Sequence, residues 1–190
     1  MRLTGAAATT FSLASVSALI VGAASPGDPT IEPWHAAPRE MRSRLLARLA
    51  DLDANLPNKL HAAWDRSMKP GPGAGSQIAN SLMELIDWTL RLAAPEDAVL
   101  RWHTDGARPK TELTDQGTPT RASKVRYLLR ARDSDGRAAE AYVKQLGALV
   151  DLLQGGKHRL TDEDMAVVRH MIPTVEGFLT FVLLAPQVDQ

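Results

Sequence analysis

Between Pro119 and Arg132 the sequence reads PTRASKVRYLLRAR. It carries Arg121, Lys124, Arg126, Arg130 and Arg132 and no acid, in a chain whose formal net charge is zero. Guanidinium groups are planar forks that match phosphate oxygens. Thr118 and Thr120 lead the run, where the positive end of a helix would lie. Such a run is either an anion site for nucleic-acid or nucleotide phosphates, or a solvated helix face whose arginines pair with nearby acids. The second is the commoner fate of a charged face. No glycine-rich cradle accompanies the run, and Tyr127 is its only aromatic residue, so base stacking is thinly supplied. The candidate nucleic-acid or anion-binding residues are Arg121, Lys124, Arg126, Tyr127 and Arg130.

Carboxylates and histidines offer a second chemistry. Glu84 and Asp87 lie three apart, on one face of a helix beside Trp88. They suit general acid–base work or a metal, and more simply suit partners for the basic run. His61 and Asp65, four apart, have the spacing of half a metal site and are expected to be a surface hydrogen-bonded pair. His158 follows Gly155 and Gly156 in what reads as a turn, beside Arg159. Glu84 and His158 are the catalytic candidates. The enzyme alternative requires Glu84, Asp87, Arg121, Arg126 and His158 to converge in one pocket.

Several patterns are missing. No lysine has an acid two positions before it, and no histidine has an arginine four to seven positions before it. There is no P-loop, no Gly-x-Ser-x-Gly and no Gly-x-Gly-x-x-Gly. The absence of cysteine excludes disulfides, thiolate nucleophiles and cysteine metal sites. No cofactor and no metal site are assigned, but the enzyme alternative, a metal-dependent nuclease-like activity, would draw a metal to Glu84 and its neighbours. Zero net charge argues against a protein-wide field, so any nucleic-acid surface must be local.

Helices must position these groups. Apolar residues recur at helical spacing from Pro38 onward: Leu45, Leu46, Leu49 and Leu52, then Leu60, Trp64 and Met68, then Ile78, Leu82, Leu85, Ile86, Thr89 and Leu92. A short helix is expected from 94 to 102, with Pro95 in its first turn. Residues 103–118 show no sustained period and read as a long loop. In the basic run, Val125, Leu128 and Leu129 fall on one side at 100° per residue, with Arg126 and Arg130 roughly opposite. A helix over 137–153 should end at Gly155 and Gly156. Thr161 and Asp164 resemble a capping box. The final helix reaches about Leu184, and Pro173 should kink or split it.

The fold class is therefore all-α: a single bundle-like domain of six or seven helices over 38–190. An apolar segment and proline-rich linker, 1–37, precede it. The first 25 residues carry a weak secretory-signal pattern, with an apolar run from Phe11 to Ala24. The run is too short for a membrane span.

The stretches ANSLMELIDWTLRLAAPEDAVLRW (79–102), PTRASKVRYLLR (119–130) and GGKH (155–158) together resemble the predicted nuclease-like domains associated with prokaryotic Piwi-like proteins. The resemblance implies a bacterial, cytoplasmic defence role, with nucleic acid or a defence-system protein as partner. By position it carries over Glu84, Arg121, Arg126, Tyr127 and His158. Export through the signal-like segment is the alternative, and would suit a non-catalytic structural or interaction protein.

Overall fold

Gly73, Pro95 and Thr120 each sit where the chain must enter a helix, and each does so differently. Gly73 takes φ 71°, a left-handed conformation that favours glycine, and leads into the longest apolar stripe of the first half. Pro95 is extended and precedes Glu96 and Asp97, two acids at the positive end of the next helix. Thr120 caps the basic helix through its side chain.

The computed structural model describes residues 39–106, 112–131, 136–159 and 165–184. Within them lie seven helices: α1 (Arg39–Leu52), α2 (Leu56–Met68), α3 (Ala74–Ala93), α4 (Glu96–Asp105), α5 (Arg121–Leu129), α6 (Arg137–Arg159) and α7 (Met165–Leu184). Among the described residues there is no strand, only an isolated bridge between Leu113 and Pro119. The all-α expectation holds. The N-terminal segment and linker, Arg132 and the Thr161–Asp164 pair lie outside the described residues.

Two local expectations differ from the structure. Gly155 and Gly156 do not end α6, which continues to Arg159, so His158 stands in a helical turn rather than a loop. The energetic disadvantage of glycine in a helix, about 1 kcal/mol each, is small enough for the surroundings to override. Pro173 does not split α7. One residue on, the Thr174 hydroxyl donates to the His170 carbonyl at 2.7 Å.

α3 is the centre of the packing, with α2, α6 and α7 against it and α1 lying on α7. Its buried stripe is Ile78, Leu82, Leu85, Ile86, Thr89 and Leu90. It meets Leu60 and Trp64 of α2, Leu146, Leu149 and Leu153 of α6, and Val175, Phe178 and Leu179 of α7 in one apolar cluster. α7 is long and apolar enough by composition to cross a membrane. Its buried Val168, Ile172, Val175, Phe178, Leu179 and Val182 instead belong to this core.

One buried carboxylate fastens the outer helices. Glu176 of α7 is 4% exposed. Its Oε1 accepts from Trp64 Nε1 of α2 at 2.8 Å and pairs with Arg42 Nη2 of α1 at 3.1 Å. The Arg42 guanidinium also lies 5.4 Å from the Trp64 ring centre. Nearby, the Arg169 guanidinium donates twice to the Ser67 carbonyl at the end of α2, where a cation suits the helix terminus.

Burial pushes the Glu176 carboxyl above its ordinary value of 4.5, against the opposing pull of Trp64, Arg42 and His61. An acid raised in the fold binds its proton more tightly folded than unfolded. Its contribution to stability therefore grows as pH falls through the raised value, and is complete below the unfolded value. Glu176→Gln lacks this titration. The melting temperature of the wild type relative to Glu176→Gln should thus rise as pH is lowered from neutral toward 4.5, followed by circular dichroism. A difference that stays flat with pH would contradict the raised carboxyl.

Candidate functional site

α5 is short, and its sequence supplies two unequal faces. Val125 and Leu129 are fully buried, and Leu128 is half-buried. The rest of its anchoring is polar. Residues 112–120 form a closed loop in which the Thr114 amide donates to the Thr118 carbonyl at 2.8 Å and the Gly117 amide to the Thr114 carbonyl at 2.8 Å. The loop returns to Glu112, whose carbonyl accepts from both the amide and the hydroxyl of Thr120. The Thr120 hydroxyl in turn accepts from the Ser123 amide at 3.1 Å. Part of the segment expected to lack structure is therefore the capping device of the basic helix.

The arginines of α5 meet carboxylates. Arg121 makes a bidentate pair with Asp87 of α3, Nε–Oδ1 at 2.6 Å and Nη2–Oδ2 at 2.9 Å. The hydrogen bond and the charge of Asp87 raise the Arg121 pKa against partial burial. Arg126, expected to face water, lies between two acids: Glu140 of α6 at 2.7 Å and Glu112 at 3.9 Å. Its pKa is raised chiefly by the hydrogen bond to Glu140. Packing of α5 against α6 places Arg126 in this seam, a tertiary fact that helical projection does not contain. Lys124 is half-buried, and burial lowers its pKa although the Glu96 charge opposes this.

The proposed catalytic groups do not gather. Glu84 pairs with Lys59 of α2 at 2.5 Å. Asp87, three residues on, turns to α5 instead. Glu84, Asp87, Arg121 and Arg126 thus belong to three separate ion pairs, because α3 serves α2 on one flank and α5 on the other. The His158 side chain lies outside the described residues. His61 and Asp65 are both exposed, and no hydrogen bond joins them, contrary to expectation. Among the described residues, no three acids and histidines cluster as a metal ion would need.

What remains open to solvent is the far end of α5. Between α4 and α5 the surface dips into an open depression of about 480 Å³ lined by Ala98, Arg101, Trp102, Asp105, Gly106, Tyr127 and Arg130. Trp102 and Tyr127 meet edge to face, with ring centres 5.8 Å apart and planes at 76°. The Arg130 guanidinium stacks on Tyr127, 3.7 Å from the ring centre, and donates to the Tyr127 carbonyl. Arg101 stands at the rim and pairs with Asp97 at 3.0 Å, both largely exposed. Of the sequence candidates, Tyr127 and Arg130 line this depression. Trp102, Arg101 and Asp105 carry no signal linking them to the basic run.

These features define a helical domain with a cation-and-aromatic depression at the junction of two short helices. The chain belongs to the predicted pPIWI-associating nucleases: that family's model matches residues 37–176. No curated protein and no solved structure matches the chain.

Two measurements check the scaffold of the site. Thr120→Ala removes the cap and one anchor to Glu112, and should cost about 1–2 kcal/mol in urea unfolding; a loss below about 0.3 kcal/mol would mean that the cap is idle. A double-mutant cycle of Asp87→Ala with Arg121→Ala should give a coupling of about 0.5–1 kcal/mol, discounted for exposure and reduced by salt.

Proposed function

We propose that this domain binds single-stranded nucleic acid at the depression between α4 and α5, as the contact module of a prokaryotic Piwi-associated defence system. The observation that carries the proposal is the stack of Arg130 on Tyr127 beside Trp102, in a depression of about 480 Å³. A base can continue this stack on the outer guanidinium face, since bases stack on arginine planes as on aromatic rings. The same guanidinium, with Arg101, supplies charge to the phosphates. Tyr127 is thus not the sole aromatic at the site, because Trp102 arrives from another helix.

Arg121 and Arg126 have a different role. Their carboxylate partners take up the donors that phosphate would use, so they hold α5 in place. Membership in a family of predicted nucleases supports nucleic acid as the ligand. The role is cytoplasmic, where that ligand is found.

Fluorescence anisotropy with labelled single strands of about twelve nucleotides, across a salt series, tests this assignment. Arg130→Ala and Tyr127→Ala should each weaken binding about tenfold, in line with the worth of a stacked base. Arg130→Ala should also reduce the slope of log K against log salt by about 0.7. Arg121→Ala should change affinity by less than about twofold at matched folded fraction. No binding at low salt, or loss in Arg121→Ala with Arg130→Ala unaffected, would overturn it.

A further inference from the structure

Asp105 is a carboxylate in the wrong place for stability. It is the last residue of α4, where the helix dipole disfavours negative charge. Arg101 precedes it by four, the spacing of a helical ion pair. Yet Arg101 has acids four residues away on both sides, and pairs with Asp97 at 3.0 Å. Arg130, the other cation of the depression, lies on the Tyr127 ring. Asp105 is exposed, and no described residue forms a hydrogen bond or ion pair with it. Among the described residues it is also the one acid lining a depression otherwise furnished for an anion.

A carboxylate that no described residue neutralises, lining the same depression as two guanidinium groups, disfavours phosphate at its own position and is suited to accept hydrogen bonds from another part of the ligand. A ribonucleotide supplies that part. Its base suits the Tyr127–Arg130 stack, its phosphate suits Arg101 and Arg130, and its sugar hydroxyls are donors that a carboxylate accepts. The 2′-hydroxyl is the group that distinguishes RNA from DNA at a binding site. We infer that Asp105 reads the ribose of a ribonucleotide held in the depression between α4 and α5. This rests on the depression being the ligand site, and adds the sugar that the site selects.

The test uses the full chain and single strands of identical sequence in RNA and DNA, with AMP and 2′-deoxy-AMP as free-nucleotide probes measured by calorimetry. RNA should bind about tenfold tighter than DNA, as expected for a hydrogen bond to a charged acceptor. Asp105→Ala should bring the RNA-to-DNA ratio to about one without weakening DNA binding and without lowering the melting temperature; a merely structural acid would alter the last. If RNA binds and AMP competes only weakly, the ligand is an RNA residue. If AMP binds in preference to 2′-deoxy-AMP and RNA does not, the ligand is the free nucleotide; either result supports ribose selection. Equal affinity for RNA and DNA, both still lost in Arg130→Ala, would overturn the role of Asp105 and leave the nucleic-acid site standing. No binding by any probe would overturn both.

Discussion

A helix of nine residues such as α5 does not persist in water alone, since the nucleus of helix formation is costly and too few bonds follow to offset it. α5 exists because its neighbours hold it. Val125 and Leu129 insert into the core, Thr120 caps the first turn, and Asp87, Glu112 and Glu140 engage the arginines from three directions. Everything at the depression inherits this arrangement. Tyr127 is on its second turn and Arg130 caps its C-terminal end, so their position relative to Trp102 is only as fixed as the helix that carries them. Of the candidate arginines, Arg121 and Arg126 are therefore the ones that build the platform, while Arg130 lies on the Tyr127 ring at the open depression.

Much of the architecture follows from the apolar period. The stripes Leu45–Leu49, Leu60–Trp64 and Ile78–Leu82–Leu85–Ile86 recur as buried faces, because burying one stripe against another is what each amphipathic helix requires. The pairing of Asp87 with the basic helix was also foreseeable from charge balance. Glu84 was not separable from it by sequence, since two residues three apart on a helix diverge by enough to serve different neighbours. Trp102 and Tyr127 come from separate helices, and no period or motif brings them together; only the packing of α4 beside α5 does.

Glu176 shows the same limit from the core. In sequence it is a lone acid in an apolar helix, and nothing local names its partners. They come from α1 and α2, more than a hundred residues earlier in the case of Trp64. A buried ion pair adds little net stability over a well-packed apolar substitute, but removing one member leaves a charge without its counterpart. The contacts of Glu176 tie α7 to α1 and α2 at a single carboxylate oxygen.

The bidentate contact between Asp87 and Arg121 carries a consequence in evolutionary terms. Each position leans on the other without locking it: both side chains are part exposed, so loss of one leaves the other to water at a cost of about 0.5–1 kcal/mol. Paired replacement at these two places is therefore favoured but not required. Asp105 has no such companion among the described residues, so on the proposed reading ribose preference can change there while the scaffold beneath it stays the same.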